Sequence, residues 1–359
     1  LTRYQADRIW FDAEETKKWI ENANFPKQVS YELKQFVSKE LTTKSISDVN
    51  IHIKLESIFK DDTWWSVAQQ KGRIIVWQRK AVAAIFSPVI IQVKQRFKSL
   101  LADDVLYTDG LTPEEISYFV RAKDGAKHFF EDDLSKQDRQ TDDEILKVEL
   151  MFYSMLGVHD LIIKWWGTVH QRWNYKLRNM WGFELSKRHT GSVTTAFGNI
   201  LTNLQVRYKI FKRNRKIILL MLILGDDNLI LSTVKLVIGT YRQDCQHHFN
   251  MRSSVKQSDT SASYCSMLCY RYSETRCELG PDFKRLKYRY EATNGVSEVN
   301  DLNMQMRMMS YCMHIGLTKE VETLILNKNL PIKPNQWYSF DAAVYGAAHK
   351  YGVSYADII

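Results

Sequence analysis

The stretch IILLMLILGDDNLIL, residues 217–231, decides the fold class of this chain. Two apolar runs, 217–224 and 229–231, flank the polar sequence Gly225-Asp226-Asp227-Asn228. Strands this apolar, joined by so short a turn, predict an antiparallel hairpin that is buried on at least one face. Helical patterns on both sides of the hairpin predict a mixed α+β fold. Because the hairpin is antiparallel, we do not expect a doubly wound parallel sheet.

Helical and extended patterns alternate outside the hairpin. Apolar spacing predicts helices over residues 80–101, 140–157, 159–175, 191–208 and 232–250, and mainly helical ends to the chain. Short apolar or alternating runs predict strands at 51–60, 73–77, 127–130 and 263–272. Thr112-Pro113-Glu114-Glu115 predicts a helix start with a capping Thr. The basic residues between 207 and 216 predict an outer loop; a solvated surface is favoured there, and contact with a partner or with RNA is the alternative.

The composition of the 359 residues is that of a folded globular protein. Hydrophobic residues make up 45% and charged residues 25%, which excludes a disordered chain. Fifty Lys and Arg against 41 Asp and Glu give a net charge of +9. An excess this small fits either an anionic partner or an ordinary solvated surface. The five cysteines are odd in number and form no C-x-x-C pair, so we expect free thiols in a reducing compartment and not a zinc site.

Asp226 and Asp227 are carboxylates held close to a predicted apolar core. Uncompensated charge in such a place is costly, and hard oxygen ligands favour Mg²⁺ or Mn²⁺ as the compensating ion. The alternative is an Asp-Asn turn chosen for its backbone tolerance. Asp133, which follows a short predicted strand, favours the metal site, because two carboxylates from neighbouring strands can hold divalent ions between them. Asp132 is a close competitor for the same role.

A polar helix start lies between the two acidic segments. Thr195 and Asn199 are four residues apart and therefore share one face of the predicted helix. Gly191 permits a tight turn and a close backbone approach at the start of this helix. The Thr and Asn side chains face either solvent or a substrate, and their position between the acidic segments favours a substrate.

Taken together, these motifs resemble the viral RNA-dependent RNA polymerases of the alphavirus-like superfamily of positive-strand RNA viruses. Asp133 and Asp138 look like motif A, and Gly225-Asp226-Asp227 looks like motif C. Motif B is matched by Thr190, Gly191, Thr195 and Asn199. Residues 249–256 are similar to motif D, and residues 51–56 with 73–78 to motif F. Residues 264–265, followed by 281–286, are similar to the motif E region and the entry to the thumb. Gln137 departs from the family, which often has Phe before the second motif A Asp.

The resemblance implies a right-hand fold of fingers, palm and thumb, with an antiparallel palm sheet flanked by helices. Residues 1–128 would be mostly fingers. Residues 129–280 would form the palm, with a fingers insertion at about 158–189. Residues 281–359 would form the thumb.

The resemblance also implies roles for particular residues in RNA synthesis from NTPs. Asp133, Asp226 and Asp227 would hold Mg²⁺, or Mn²⁺, as the catalytic metal. Asp138 and Asn199 would read the ribose 2′-hydroxyl, beside Thr190, Gly191 and Thr195 of motif B. Arg73, and less strongly Lys54, would grip the triphosphate. Lys256 would be a general acid for pyrophosphate if it lies on a mobile loop, and is otherwise an ordinary solvated lysine.

The partners implied are an RNA template, its product duplex, NTPs and other viral replicase domains. No apolar run reaches the ~18 residues of a spanning helix, so no transmembrane segment is predicted. The chain starts at Leu1, and we expect a piece of a longer polyprotein acting in the host cytoplasm at membrane-associated replication complexes. A polymerase of the reverse transcriptase type and a non-catalytic RNA-binding module remain as alternatives.

Overall fold

The computed structural model describes residues 4, 7–38, 47–54, 73–135, 137, 141–177, 180–271, 273–274, 276–282 and 348. Its helices are α1 (Ala13–Glu21), α2 (Pro26–Ser38), α3 (Lys80–Lys98), α4 (Pro113–Arg121), α5 (Asp143–Met155), α6 (Asp160–Gln171), α7 (Thr195–Asn214) and α8 (Tyr241–Phe249). Its strands are β1 (Asp48–Lys54), β2 (Arg73–Gln78), β3 (Val105–Tyr107), β4 (His128–Ser135), β5 (Trp173–Leu177), β6 (Met180–Glu184), β7 (Ile218–Leu224), β8 (Asp227–Ser232), β9 (Arg252–Ser258), β10 (Ser261–Tyr264), β11 (Met267–Arg271) and β12 (Cys277–Pro281).

The predicted hairpin lies in the middle of a five-stranded sheet with the order β3-β7-β8-β4-β9. Strand β3 is parallel to β7, and the other neighbours are antiparallel. Both faces of the sheet are covered, which explains why β7 is apolar at every position and why residues 229–231 of β8 are apolar as well. Helices α3, α5, α6, α7 and α8 contribute to the core on one face, and α4 packs with β10–β12 on the other. The expected mixed α+β fold class is confirmed.

A second sheet has the order β2-β1-β5-β6. The predicted strands at 51–60 and 73–77 form its β1 and β2, which pair antiparallel, while β5 joins β1 in parallel. Gly191 links this sheet to the loop before α7, because its N–H donates to the Val76 carbonyl at 2.8 Å. A Cβ on Gly191 would lie 2.7 Å from the Trp77 Cβ, so the glycine is needed for this close approach to β2.

Several local predictions are confirmed, and others are wrong for identifiable reasons. Thr112 and Glu115 form the expected capping box at the start of α4. The helix expected over 232–250 is confined to α8, and the strand expected over 263–272 is the hairpin β10–β11. The turn of that hairpin is Cys265-Ser266, with φ of 49° and 63°, and these residue types give no turn signal. The hairpin β5–β6 and the polar edge strand β9 were also not predicted.

Candidate active site

Strand register brings the acidic motifs to one end of the central sheet. Strand β4 pairs with β8 so that Phe129 faces Leu231 and Glu131 faces Leu229. The same register, continued by two residues, sets Asp133 level with Asp227. Since Gly225 and Asp226 form a two-residue turn between β7 and β8, Asp226 lies at the same end. All three aspartates are exposed, and β4 and β8, which carry Asp133 and Asp227, are neighbouring strands of the sheet.

Asp132 is excluded from this group by the alternation of side chains along β4. It points to the opposite face of the sheet, where it is only 4% exposed. There its carboxylate pairs with the Arg207 guanidinium at 3.0 Å and accepts hydrogen bonds from the hydroxyls of Tyr241 and Ser253. Asp132, the alternative to Asp133 as a metal ligand, therefore forms an internal ion pair instead.

Helix α7 ties this buried ion pair to the exposed carboxylates. Arg207 also donates to the backbone carbonyls of Asp132 and Asn203. The Asn203 amide donates to the Gly225 carbonyl at 2.6 Å, and Asn228 donates to the Asp132 carbonyl at 2.6 Å. One connected network thus fixes the end of β4 and the tip of the β7–β8 hairpin against α7.

This network lies on a polar stripe of α7, of which only Asn199 was expected from the sequence. Asn199, Asn203, Arg207 and Asn214 are all buried on the helix. Arg207 was predicted to lie in a solvated outer loop, and this prediction is wrong because α7 continues to Asn214. The available signal was the spacing of these polar residues by four, four and seven positions, which puts them on one helix face.

The exposed end of the sheet carries negative charge, which affects the pKa of a neighbouring thiol. Burial raises the pKa of the Cys265 thiol well above its usual range, and the nearby charges of Asp227 and Asp226 raise it further. Three carboxylates in a field of this sign suit a hard cation, so the donor set fits Mg²⁺ by its chemistry. Within the described ranges, however, no three His, Cys, Asp or Glu side chains are grouped tightly enough to hold an ion as they stand.

Thr195 and Asn199 are buried at the N-terminal end of α7 and do not face solvent. The Thr195 hydroxyl donates to the His189 carbonyl, so it braces its own loop. The Asn199 Oδ1 accepts a hydrogen bond from Arg188 at 2.8 Å, and its backbone carbonyl accepts one from Gln137 at 3.0 Å. Thr190 and Gly191 are exposed in the preceding loop.

Gln137, the departure from the family pattern, is buried and connects the two motifs. Its amide reaches Asn199 from the position directly before Asp138, while its own backbone carbonyl accepts from the Thr141 hydroxyl at 3.2 Å. The residue that breaks the motif A pattern is therefore a contact between motif A and motif B. Asp138 itself lies outside the described residues.

The predicted basic ligands are placed less completely. Lys54 and Arg73 face each other across the β1–β2 pair, and their side chains lie outside the described residues. Lys256 lies on strand β9 and not on a loop, with its Nζ 2.9 Å from Glu131 Oε1. The condition set for its general-acid role is therefore not met, because the polar alternation of residues 252–258 forms an edge strand of the central sheet.

The similarity of this chain to known proteins covers the region that contains these motifs. The family described as RNA dependent RNA polymerase, RdRP_2, matches residues 2–275. The replicase polyprotein 1ab of Beet yellows virus is 26% identical over 194 residues, which is 53% of this chain and 6% of that polyprotein. RNA-directed RNA polymerase 2a of Olive latent virus 2 is 30% identical over 161 residues, 44% of this chain and 20% of that protein.

A third relative is RNA-directed RNA polymerase 2a of Cucumber mosaic virus strain As, which is 30% identical over 134 residues. That alignment covers 36% of this chain and 15% of the relative. This chain therefore matches between 6% and 20% of the length of these three proteins.

Proposed function

Because the chain belongs to the viral RNA-dependent RNA polymerase family, in its alphavirus-like supergroup, we propose that it synthesises RNA on an RNA template. The reaction is attack of an RNA 3′-hydroxyl on the α-phosphate of an NTP, with pyrophosphate as the leaving group. The biological role is copying of a viral RNA genome.

One observation carries the proposal: Asp133 on β4, Asp226 in the β7–β8 turn and Asp227 at the start of β8 belong to neighbouring strands and are exposed at one end of the central sheet. Their neighbour Asp132 is turned away and paired internally, so the exposed acids are not a general feature of the strand end. Carboxylates at one end of a sheet favour a cation between them, because an opposite charge stabilises their ionised form.

Asp133, Asp226 and Asp227 are the residues that would hold Mg²⁺ or Mn²⁺, which supplies charge stabilisation at the attacking and leaving oxygens. The protein's own contribution is to fix the positions of these carboxylates. Asn203 and Asn228 do so by hydrogen bonds to the backbone on either side of the acidic motifs. Such positioning contributes to phosphoryl transfer because the reaction depends chiefly on alignment and electrostatics.

The nucleotide would lie beside the N-terminal turn of α7. Asn199 would contact the ribose 2′-hydroxyl together with Asp138, whereas Thr195 holds the loop that carries Thr190 and Gly191. Arg73 and Lys54 would bind the triphosphate from the β1–β2 pair. The backbone contact of Gly191 with β2 supports this arrangement, since it brings the strand of Arg73 to the motif B loop.

We extend the proposal to the domain layout. The central sheet would belong to the palm, 129–280, and the second sheet to the fingers, 1–128 with the insertion 158–189. Pairing of β5 with β1 supports this, because it joins the insertion to the N-terminal strands. The thumb, 281–359, lies almost entirely outside the described residues.

Template RNA, product duplex, NTPs and other viral replicase domains are the proposed partners, and membrane-associated replication complexes in the host cytoplasm are the proposed location. No helix in the described part of the chain is both long enough and apolar enough to cross a bilayer.

The test is primer extension on an RNA template with NTPs and Mg²⁺, comparing the unmodified chain with Asp226→Ala. Asp259→Ala is the matched control, because Asp259 is also an exposed aspartate in a turn of the same region. We expect extension by the unmodified chain and the control, and none by Asp226→Ala. Preference for dNTPs would indicate a reverse transcriptase, and RNA binding without extension by any variant would indicate a non-catalytic module.

A further inference from the structure

A second buried ion pair lies behind the proposed nucleotide site and is not explained by the chemistry described so far. Arg188 and Glu149 form it, with side chains only 1% and 2% exposed. The other Glu149 oxygen accepts from the Tyr153 hydroxyl. Both carboxylate oxygens are therefore engaged, and the pair is anchored in α5 at positions far from Arg188 in sequence.

Arg188 uses its second terminal nitrogen for a different purpose. Nη1 donates to the Asn199 Oδ1 at 2.8 Å and to the Thr141 hydroxyl at 3.3 Å. A guanidinium can only donate, so the Asn199 atom beside it must be the carbonyl oxygen of the amide. The contact thereby fixes which branch of the amide is oxygen and which is nitrogen, and the Nδ2 protons point away from Arg188.

Gly198 is a second feature of this ion pair, because it allows the pair to lie close against helix α7. A Cβ at this position would lie 2.6 Å from Arg188 Nη2 and 2.6 Å from Glu149 Oε2. Helix α7 thus carries a glycine directly over the ion pair, which lets the pair approach the helix at the residue before Asn199. Glycine inside a helix is unfavourable relative to alanine, so this close approach has a cost that packing must offset.

We propose that Arg188, braced by Glu149, is a positioning residue for ribose selection. It holds the Asn199 amide so that Nδ2 acts as a hydrogen-bond donor to the 2′-oxygen of the incoming nucleotide. The inference rests on the proposed function, in which Asn199 contacts that hydroxyl, and adds the residue that determines how it does so. Ribonucleotides are preferred over deoxyribonucleotides because the latter leave the oriented donor unpaired.

The test measures discrimination between CTP and dCTP, both as the ratio of kcat/KM in primer extension and as the ratio of Kd in equilibrium binding. The main variant is Arg188→Met with Glu149→Leu, which removes both buried charges together and spares the core an unpaired ion. We expect it to reduce both ratios by about 10- to 100-fold, as for a misplaced recognition group.

Asn199→Ala supplies the matched comparison. If Arg188 acts through Asn199, adding the double substitution to Asn199→Ala changes discrimination no further, since interacting residues are not additive. Additive losses would overturn the inference, because they would mean that the ion pair affects selection by another route.

Arg188→Lys covers the case in which the double variant does not fold. It retains a cation for Glu149 but has one nitrogen where two are needed, so we expect near-normal thermal stability with reduced discrimination. Full discrimination in this variant, or a fall in kcat with both ratios unchanged, would show a purely structural role.

The two proposals fail differently. A chain that makes no RNA but binds CTP more tightly than dCTP, with a ratio that depends on Arg188, contradicts the catalytic proposal alone. A chain that makes RNA with a ratio independent of Arg188 contradicts the inference alone. Absence of any preference for CTP in the unmodified chain overturns the inference outright.

Discussion

Asp132 and Asp133 are adjacent in sequence and have the same side chain, but they occupy opposite environments. Asp132 is buried against α7 and α8. Its carboxylate forms an ion pair with Arg207 and accepts hydrogen bonds from the hydroxyls of Tyr241 and Ser253. Asp133 is exposed at the end of the sheet that also carries Asp226 and Asp227. Because alternate residues of a strand face opposite sides, one residue position separates a structural carboxylate from a proposed catalytic one.

The comparison shows how the fold assigns roles to equivalent chemical groups. The buried acid has a cation from its own chain and stabilises the core only while that cation is present. The exposed acids are held beside each other by hydrogen bonds to the backbone around them. We therefore expect substitutions of the buried acid to lower the stability of the fold. Substitutions of the exposed acids should instead lower the rate of RNA synthesis.

The largest expected effect is the loss of primer extension when Asp133, the exposed aspartate, is substituted. Asp133→Asn removes the charge of a proposed metal ligand, and we expect the rate of primer extension to fall by about 10³-fold or more. The free energy of unfolding should change by less than about 0.5 kcal/mol, since the side chain is exposed. Urea unfolding followed by circular dichroism checks the second value. An Asp133→Asn variant with normal activity would contradict the proposed role of Asp133 as a metal ligand.

The next effect is on stability, at the buried aspartate. Asp132→Asn leaves the Arg207 guanidinium without its counter-charge, and we expect a loss of about 3–5 kcal/mol in the free energy of unfolding. Arg207→Met should cost a similar amount. The double variant should be more stable than the sum of the two losses predicts, and a double-mutant cycle from urea unfolding measures the difference. Additive losses would indicate that the ion pair is not the source of the effect.

A third prediction concerns pH and the histidines behind the motif B loop. Burial lowers the pKa of His170 and of His189 to about 4, and the charge of His170 also lowers the pKa of His189. The folded state therefore binds fewer protons than the unfolded chain, whose histidines titrate near 6.5. Stability contributed by the neutral rings is present above about pH 6.5 and is lost as the pH falls towards 4, at up to about 1.4 kcal/mol per pH unit for each group.

Urea unfolding between pH 7.5 and 5 checks this dependence. His170→Phe should reduce the pH dependence, because it removes one of the two buried rings. An unchanged slope in His170→Phe would assign the acid sensitivity to other groups.

The sequence predicted those parts of the site that depend on local pattern. The apolar run before Gly225 indicated the hairpin, and the order of Asp133 and Asp226 indicated neighbouring strand ends. It did not predict that Arg207 pairs with Asp132 or that Arg188 pairs with Glu149. These partners are 75 and 39 residues apart, and nothing in a local pattern specifies which buried acid a buried arginine will meet.

The smallest expected effect concerns Lys256, which lies on the same sheet as Asp133 but at an exposed edge. It pairs with Glu131 at 2.9 Å, and its side chain is 65% exposed. Exposed ion pairs contribute at most about 1 kcal/mol, so Lys256→Met should lower the free energy of unfolding by less than that. The rate of primer extension should change by less than about threefold, because a residue in a regular strand cannot move towards the leaving group as a loop residue can. A loss of 100-fold in this variant, with RNA binding unchanged, would restore Lys256 as the proton donor and place part of the chemistry on the edge strand.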